Sequence, residues 1–106
     1  MRLYHNPRCS KSRQAVALLI EQGIEFEEYR YLELGIAQED LEILSSLSGI
    51  IRKNEKEFKQ NKFDINDFDA VREALISIPK LLQRPVLIKS KNAVIGRPPE
   101  ALKTLF

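Results

Sequence analysis

Tyr4-His5-Asn6-Pro7-Arg8-Cys9-Ser10-Lys11-Ser12-Arg13 holds the only cysteine and the only histidine of a 106-residue chain, among three basic side chains and no acidic one. Ahead of it, Arg2-Leu3-Tyr4 leads into a Pro-containing turn, and beyond Cys9 the residues Ala15, Leu18 and Leu19 recur at helical spacing, with Val16 and Ile20 widening the stripe. Cys9 therefore stands where a strand and turn deliver the chain into a helix. The first helical turn has unpaired N–H groups and about half a positive charge, so it stabilises an anion placed there. A thiolate is such an anion. Arg8, Lys11 and Arg13, with His5 when protonated, add positive charge, which puts the Cys9 thiol below the range of a free cysteine. The same amides and guanidinium groups suit an oxyanion, so nucleophile and anion site coincide. A lone cysteine is ordinarily a small buried hydrophobe, but the turn and surface residues on both sides of this one argue against a core position. For His5, thiol activation and turn capping stand about even.

Working outward, Ile24 to Tyr31 alternates apolar and charged residues and reads as a strand with one wet face, after a helix closed by Gly23. Strand, helix and strand make a βαβ unit with parallel strands and a right-handed crossover. Gln38 to Leu47 reads as a helix ended by Gly49, and the charged stretch Ile50 to Phe63 as irregular and part helical. Asp64 or Asn66 caps a further helix running to about Ile78, with Phe68, Val71, Leu75 and Ile78 as its stripe and Pro79 as its stop. Val86-Leu87-Ile88-Lys89 and Ala93-Val94-Ile95 form a hairpin about the Ser90-Lys91-Asn92 turn. A last helix follows Gly96, with Pro98 or Pro99 in its first turn and Ala101, Leu102 and Leu105 facing inward. The order predicts an α/β thioredoxin-like fold: a mixed four-stranded sheet, with a helical insert at about 37–79 between βαβ and ββα halves of one domain, 1–106.

Composition bounds the function. Hydrophobic residues make up 43% of the chain, enough for a core without metal or disulfide support. One cysteine excludes an internal disulfide and a Cys-rich zinc site, and with no signal peptide in view the chain reads as cytoplasmic. No apolar run approaches the roughly 20 residues that span a bilayer, so no membrane partner is expected. The net charge of +2 is too small to argue for nucleic acid, but it is unevenly spread. Residues 1–13 carry four basic side chains and no carboxylate, whereas Glu21 to Glu42 is acidic apart from Arg30, an arrangement that suits a small anion better than a polyanion.

The chain resembles the arsenate reductase family that works with glutathione and glutaredoxin. The resemblance runs through His5–Arg13, Ile51-Arg52-Lys53-Asn54, Arg84-Pro85-Val86 and Gly96-Arg97-Pro98-Pro99-Glu100, four motifs in order over essentially the whole length. It implies Cys9 as nucleophile, Arg52, Arg84 and Arg97 as binders of the oxyanion and of the covalent arsenic intermediate, and a cis bond at Pro85 opposite the cysteine. Forked guanidiniums satisfy several oxygens of one anion at once, which suits that assignment. His5 stands with Cys9 as a catalytic candidate, and Ser12, Arg13 and Pro85 as supporting residues. Ser12 occupies the place where a Cys-x-x-Cys motif would carry its second thiol, so the reducing electrons come from outside thiols. The resemblance implies arsenate or a similar oxyanion as substrate, glutathione as co-substrate, a glutaredoxin as partner, and no metal or tightly bound cofactor. Two other readings stand beside it: a glutathione-dependent thiol oxidoreductase of different substrate, and a protein-binding regulator related to family members that dock on RNA polymerase.

Overall fold

The computed structural model describes all 106 residues, Met1–Phe106. They form two compact units: Met1–Tyr31 with Arg84–Phe106, and Leu32–Gln83. The second is continuous in sequence and covers the stretch read as an insert, reaching a few residues further at each end.

The first unit is built on a four-stranded sheet, spatial order β2-β1-β3-β4, of β1 (Arg2–Tyr4), β2 (Glu27–Tyr29), β3 (Val86–Lys89) and β4 (Asn92–Ile95). Between β1 and β2 runs α1 (Ser10–Glu21). β1 pairs parallel with β2 through Leu3 and Glu28, and antiparallel with β3 through Leu3 and Leu87, so the sheet is mixed. β3 and β4 form the expected hairpin, whose turn is shortened to Ser90-Lys91, with Ser90 at φ 55° and Asn92 already in the strand. Leu3, Ala15, Leu19, Leu87 and Leu102 make the core, with no exposed surface on any of them. Ser12, Ala15 and Leu19 are the buried residues of α1, at spacings of three and four that hold one face of a helix. Ile20, read as part of that stripe, is 66% exposed, because it falls off this narrower face.

Two expectations in this unit are corrected. Strand β2 covers only Glu27–Tyr29: the Ile24 amide closes the turn onto Leu19 O, and Tyr31 opens a short helix, α2 (Tyr31–Leu34), leaving three residues to pair with β1. Ile24 and Phe26 still pack on the core, and that contact produces the alternation seen in the sequence. The last helix is a 3-10 helix, Pro99–Leu105, starting on Pro99 and burying Leu102.

The second unit is helical. A 3-10 turn, Gln38–Asp40, runs into α3 (Leu41–Ser45), so the helix expected over Gln38–Leu47 is split and stops two residues early. α4 (Lys56–Gln60) supplies the part-helical character of the charged stretch. The longest helix of this unit, α5 (Phe68–Ser77), is capped by Asp67, whose carboxylate accepts from the Asp69 and Ala70 amides. Asp64, one of the two caps expected, instead accepts from the Asn66 amide in the preceding turn. Val71 and Leu75 of α5 are buried, whereas Phe68 is 41% exposed. Pro79 opens the 3-10 turn Pro79–Leu81, and Ile51 bridges Leu82. No helix is long and apolar enough to cross a membrane.

Candidate active site

Cys9 is the N-cap of α1, in extended conformation (φ −93°, ψ 122°), and its carbonyl accepts from the Arg13 amide. The preceding turn is tightly held. Asn6 Oδ1 accepts from the Arg8 amide at 3.0 Å, Asn6 O accepts from the Cys9 amide at 3.0 Å, and Arg13 donates from Nη1 to Pro7 O at 2.9 Å. These bonds present the thiol, part-exposed and free of any disulfide, at the positive end of a twelve-residue helix.

Arg84 and Arg97 come to this sulfur from the far end of the chain. Arg84 precedes β3 and Arg97 follows β4, so the hairpin carries both, and the sheet sets β3 beside β1, which leads into the Cys9 turn. Arg97 donates from Nη1 to Cys9 Sγ at 3.9 Å and to Arg84 O at 2.9 Å. The peptide bonds Arg84–Pro85 and Arg97–Pro98 are both cis, the first as expected and the second not anticipated. Gly96 donates its amide to Pro85 O at 2.8 Å and ties the two Arg-Pro segments together.

Partial burial pushes the Cys9 thiol up, but the Ser12 amide, the hydrogen bond and charge of Arg84, and the Lys11 amide outweigh it and hold the thiol below its ordinary value. The direction agrees with the sequence; the source does not. The expected contribution of Arg8, Lys11 and Arg13 side chains is replaced by Arg84, because Arg13 is engaged with Pro7 and Arg8 is exposed to solvent. Sequence neighbours in a turn fan outward, while a residue 75 positions away is delivered by the sheet.

His5 is buried (5% exposed) and extends the pairing past Tyr4, donating its amide to Tyr29 O at 2.9 Å. Its Nδ1 lies 2.7 Å from Ser12 Oγ, and its Nε2 lies 3.6 Å from Glu28 Oε1. Ser12, with no exposed surface, also accepts the Asn6 amide at 3.0 Å. Burial pushes His5 below its ordinary value of 6.5; Glu28 opposes this, and Arg30 and Arg13 add to it. This lowering favours the neutral imidazole, in which His5 adds no charge to the thiol. Its contacts run through Ser12. Glu28 is the member of this group absent from the sequence reading; its signal was the parallel pairing of β1 and β2, which puts it on the same sheet face as His5.

Arg52 belongs to the second unit. Its amide donates to Leu81 O, Nε pairs with Glu55 Oε1 at 3.0 Å, and Nη1 donates to Gln83 Oε1 at 3.2 Å. Lys80 approaches the other Glu55 oxygen at 3.6 Å. Burial raises the Glu55 carboxyl, but Arg52 and Lys80 prevail and hold it below its ordinary value. No cluster of three or more His, Cys, Asp or Glu side chains is set to hold a metal.

A mixed sheet in this order, with a cysteine capping the helix after its first central strand and a cis-proline segment beside it, defines a thioredoxin-like protein. Within that class the chain belongs to the ArsC family, whose model matches residues 4–105. It is 39% identical over 108 residues to the Escherichia coli K12 protein called uncharacterized protein YfgD, covering 94% of this chain and 91% of the other. It is 34% identical over 114 residues to the arsenate reductase of Neisseria meningitidis serogroup A, covering 100% and 97%. The regulatory protein MgsR of Bacillus subtilis is 33% identical over 108 residues, covering 94% and 86%. Among solved structures, an arsenate reductase from Vibrio cholerae superposes with a TM-score of 0.85 at 33% identity, covering 100% and 98%.

Proposed function

We propose that this chain is a thiol-dependent arsenate reductase in which Cys9 is the nucleophile and Arg84 and Arg97 receive the oxyanion. The observation that carries the reading is the convergence on one sulfur of a helix N-terminus, the Arg84 side chain and Arg97 Nη1 at 3.9 Å. That arrangement favours a thiolate and also favours the negative charge that gathers when the thiolate attacks an anion.

The sulfur forms a bond to arsenic as one arsenate oxygen departs with two protons as water. Two electrons then have to reach arsenic. With a single cysteine in the chain, outside thiols provide them, glutathione and a glutaredoxin being the reductants this reading names. The balance is one arsenate and two thiols giving one arsenite, one disulfide and one water, with Cys9 returned as a thiol. Both are cytoplasmic reductants, so the same reading expects the protein in the cytoplasm. The likeness to MgsR favours a second reading, a regulator that works by docking on another protein; the lone thiol excludes an internal disulfide as its switch.

The test is arsenate-dependent oxidation of glutathione in the presence of a glutaredoxin, comparing the native chain with Cys9→Ser. A rate present in the first and absent in the second is expected. No arsenate-dependent rate above the variant would sink the reductase reading.

A further inference from the structure

We propose that Glu28 is a positioning residue of the Cys9 site: its carboxylate keeps the proton of neutral His5 on Nε2, so that Nδ1 takes the Ser12 hydroxyl and the turn before Cys9 is locked. This rests on reading Cys9 as the reactive thiol, not on arsenate as its substrate.

The argument begins with Ser12 Oγ, which has one proton to give and two lone pairs. One lone pair holds the Asn6 amide at 3.0 Å, and the neighbour at 2.7 Å is His5 Nδ1. If Nδ1 carries the imidazole proton, Ser12 Oγ accepts twice and its own proton, on a residue without exposed surface, loses its acceptor. A buried donor without a partner is costly. With the proton on Nε2, both bonds of Ser12 are kept: it donates to Nδ1 and accepts from Asn6. Glu28 Oε1, 3.6 Å from Nε2, selects this second arrangement, because a carboxylate attracts an N–H and repels a lone pair. The logic is that of a carboxylate setting a histidine tautomer from behind.

The carboxylate is itself held in place. Glu28 Oε1 accepts from Arg30 Nε at 3.3 Å and Nη2 at 3.2 Å, so it is fixed on the side away from Ser12. The charged groups that act on His5 are Glu28, Arg30 and Arg13. The connection to the thiol is short. Ser12 is the third residue of α1, its amide favours the Cys9 thiolate, and its hydroxyl anchors Asn6, whose carbonyl receives the Cys9 amide. A change in the His5 tautomer therefore disturbs both the turn and one of the amides that stabilise the sulfur.

His5 is the only histidine, so nitrogen-detected NMR of the imidazole reports this one ring without assignment ambiguity. In the native chain at a pH where His5 is neutral, the Nε2–H tautomer is expected. Glu28→Ala should shift the ring toward Nδ1–H and slow alkylation of Cys9 at pH 7 by about three- to tenfold, the scale of one modest hydrogen bond. Glu28→Gln keeps an oxygen able to face Nε2, so it should restore the tautomer and most of the alkylation rate. Both variants lose the charge that raises His5, so in both the ring should titrate at lower pH. A native ring protonated on Nδ1, or a Glu28→Ala ring unchanged from native, would overturn the proposal. Should Glu28→Ala fail to fold, Glu28→Leu, close to glutamate in size but without an oxygen, takes its place with the same expected and refuting spectra. The readout needs no substrate, so its failure leaves the reductase reading intact, and a protein that does not turn over arsenate leaves this one intact.

Discussion

Replacing Gly96 by alanine tests how the two Arg-Pro segments are held. A Cβ built on Gly96 would lie 2.9 Å from Pro85 Cγ and 3.1 Å from both Cγ and Cδ2 of Leu102. Carbon atoms rest about 3.5–4.0 Å apart, so the methyl group overlaps Pro85 by about 0.6 Å. Neither neighbour has room to yield: Leu102 has no exposed surface and belongs to the core, and Pro85 is buried in a ring closed by its own backbone. Inserting a methyl group into such a site costs about 1–3 kcal/mol, read as a lower urea midpoint with an unchanged slope. The displacement also reaches the site, since Pro85 carries Arg84 on one side and Gly96 carries Arg97 on the other. Alkylation of Cys9 at pH 7 should slow in the same variant. Adding Leu102→Ala removes two of the three close contacts, so the double variant should lose less stability than the sum of the two single changes. A Gly96→Ala chain within about 0.5 kcal/mol of the native one, the range of ordinary surface changes, would refute the steric argument.

Arg84→Ala removes the side chain that most lowers the Cys9 thiol, so the midpoint of alkylation rate against pH should move upward toward that of a free cysteine. Arg97→Ala should move that midpoint less while weakening turnover at low arsenate by about tenfold, the scale of one charged hydrogen bond; equal midpoint shifts in both variants would contradict this division. Arg52→Ala strips a part-buried Glu55 of its main partner and should cost about 1–3 kcal/mol at neutral pH by urea unfolding. Because Glu55 is held below its ordinary value of 4.5, its stabilising contribution is complete above that pH and is lost as pH falls through the folded value. The gap between native and Arg52→Ala chains should therefore close on acidification, and a gap independent of pH would exclude the ion pair as its cause.

The elements that the sequence made legible are those whose residues see one environment along their length. The helix after Cys9 and the Val86–Ile95 hairpin carry a period that burial on one face imposes, and both are found where that period lies. Where an apolar side chain is buried without belonging to a ladder, as with Ile24 and Phe26, the same alternation overstates the strand. Caps are ambiguous for a related reason: Asp64, Asn66 and Asp67 all have side chains suited to the task, and only backbone geometry selects Asp67. At the site, Cys9, Arg84 and Arg97 were visible through their motifs. Glu28 was not, because a glutamate on an alternating edge strand looks like a solvated residue until the parallel register places it beside His5.

The contact between Arg97 and Cys9 joins residues 88 positions apart, and the unit containing both is interrupted by the whole of Leu32–Gln83. Chains are made from the N-terminus and fold as their parts become available. Cys9 thus emerges before the Leu32–Gln83 unit, and Arg84 and Arg97 only after it. Until then the sulfur lacks the side chain that most lowers it. The chain consequently carries a delay: the side chain that most lowers its nucleophile reaches it only when the hairpin has closed on β1.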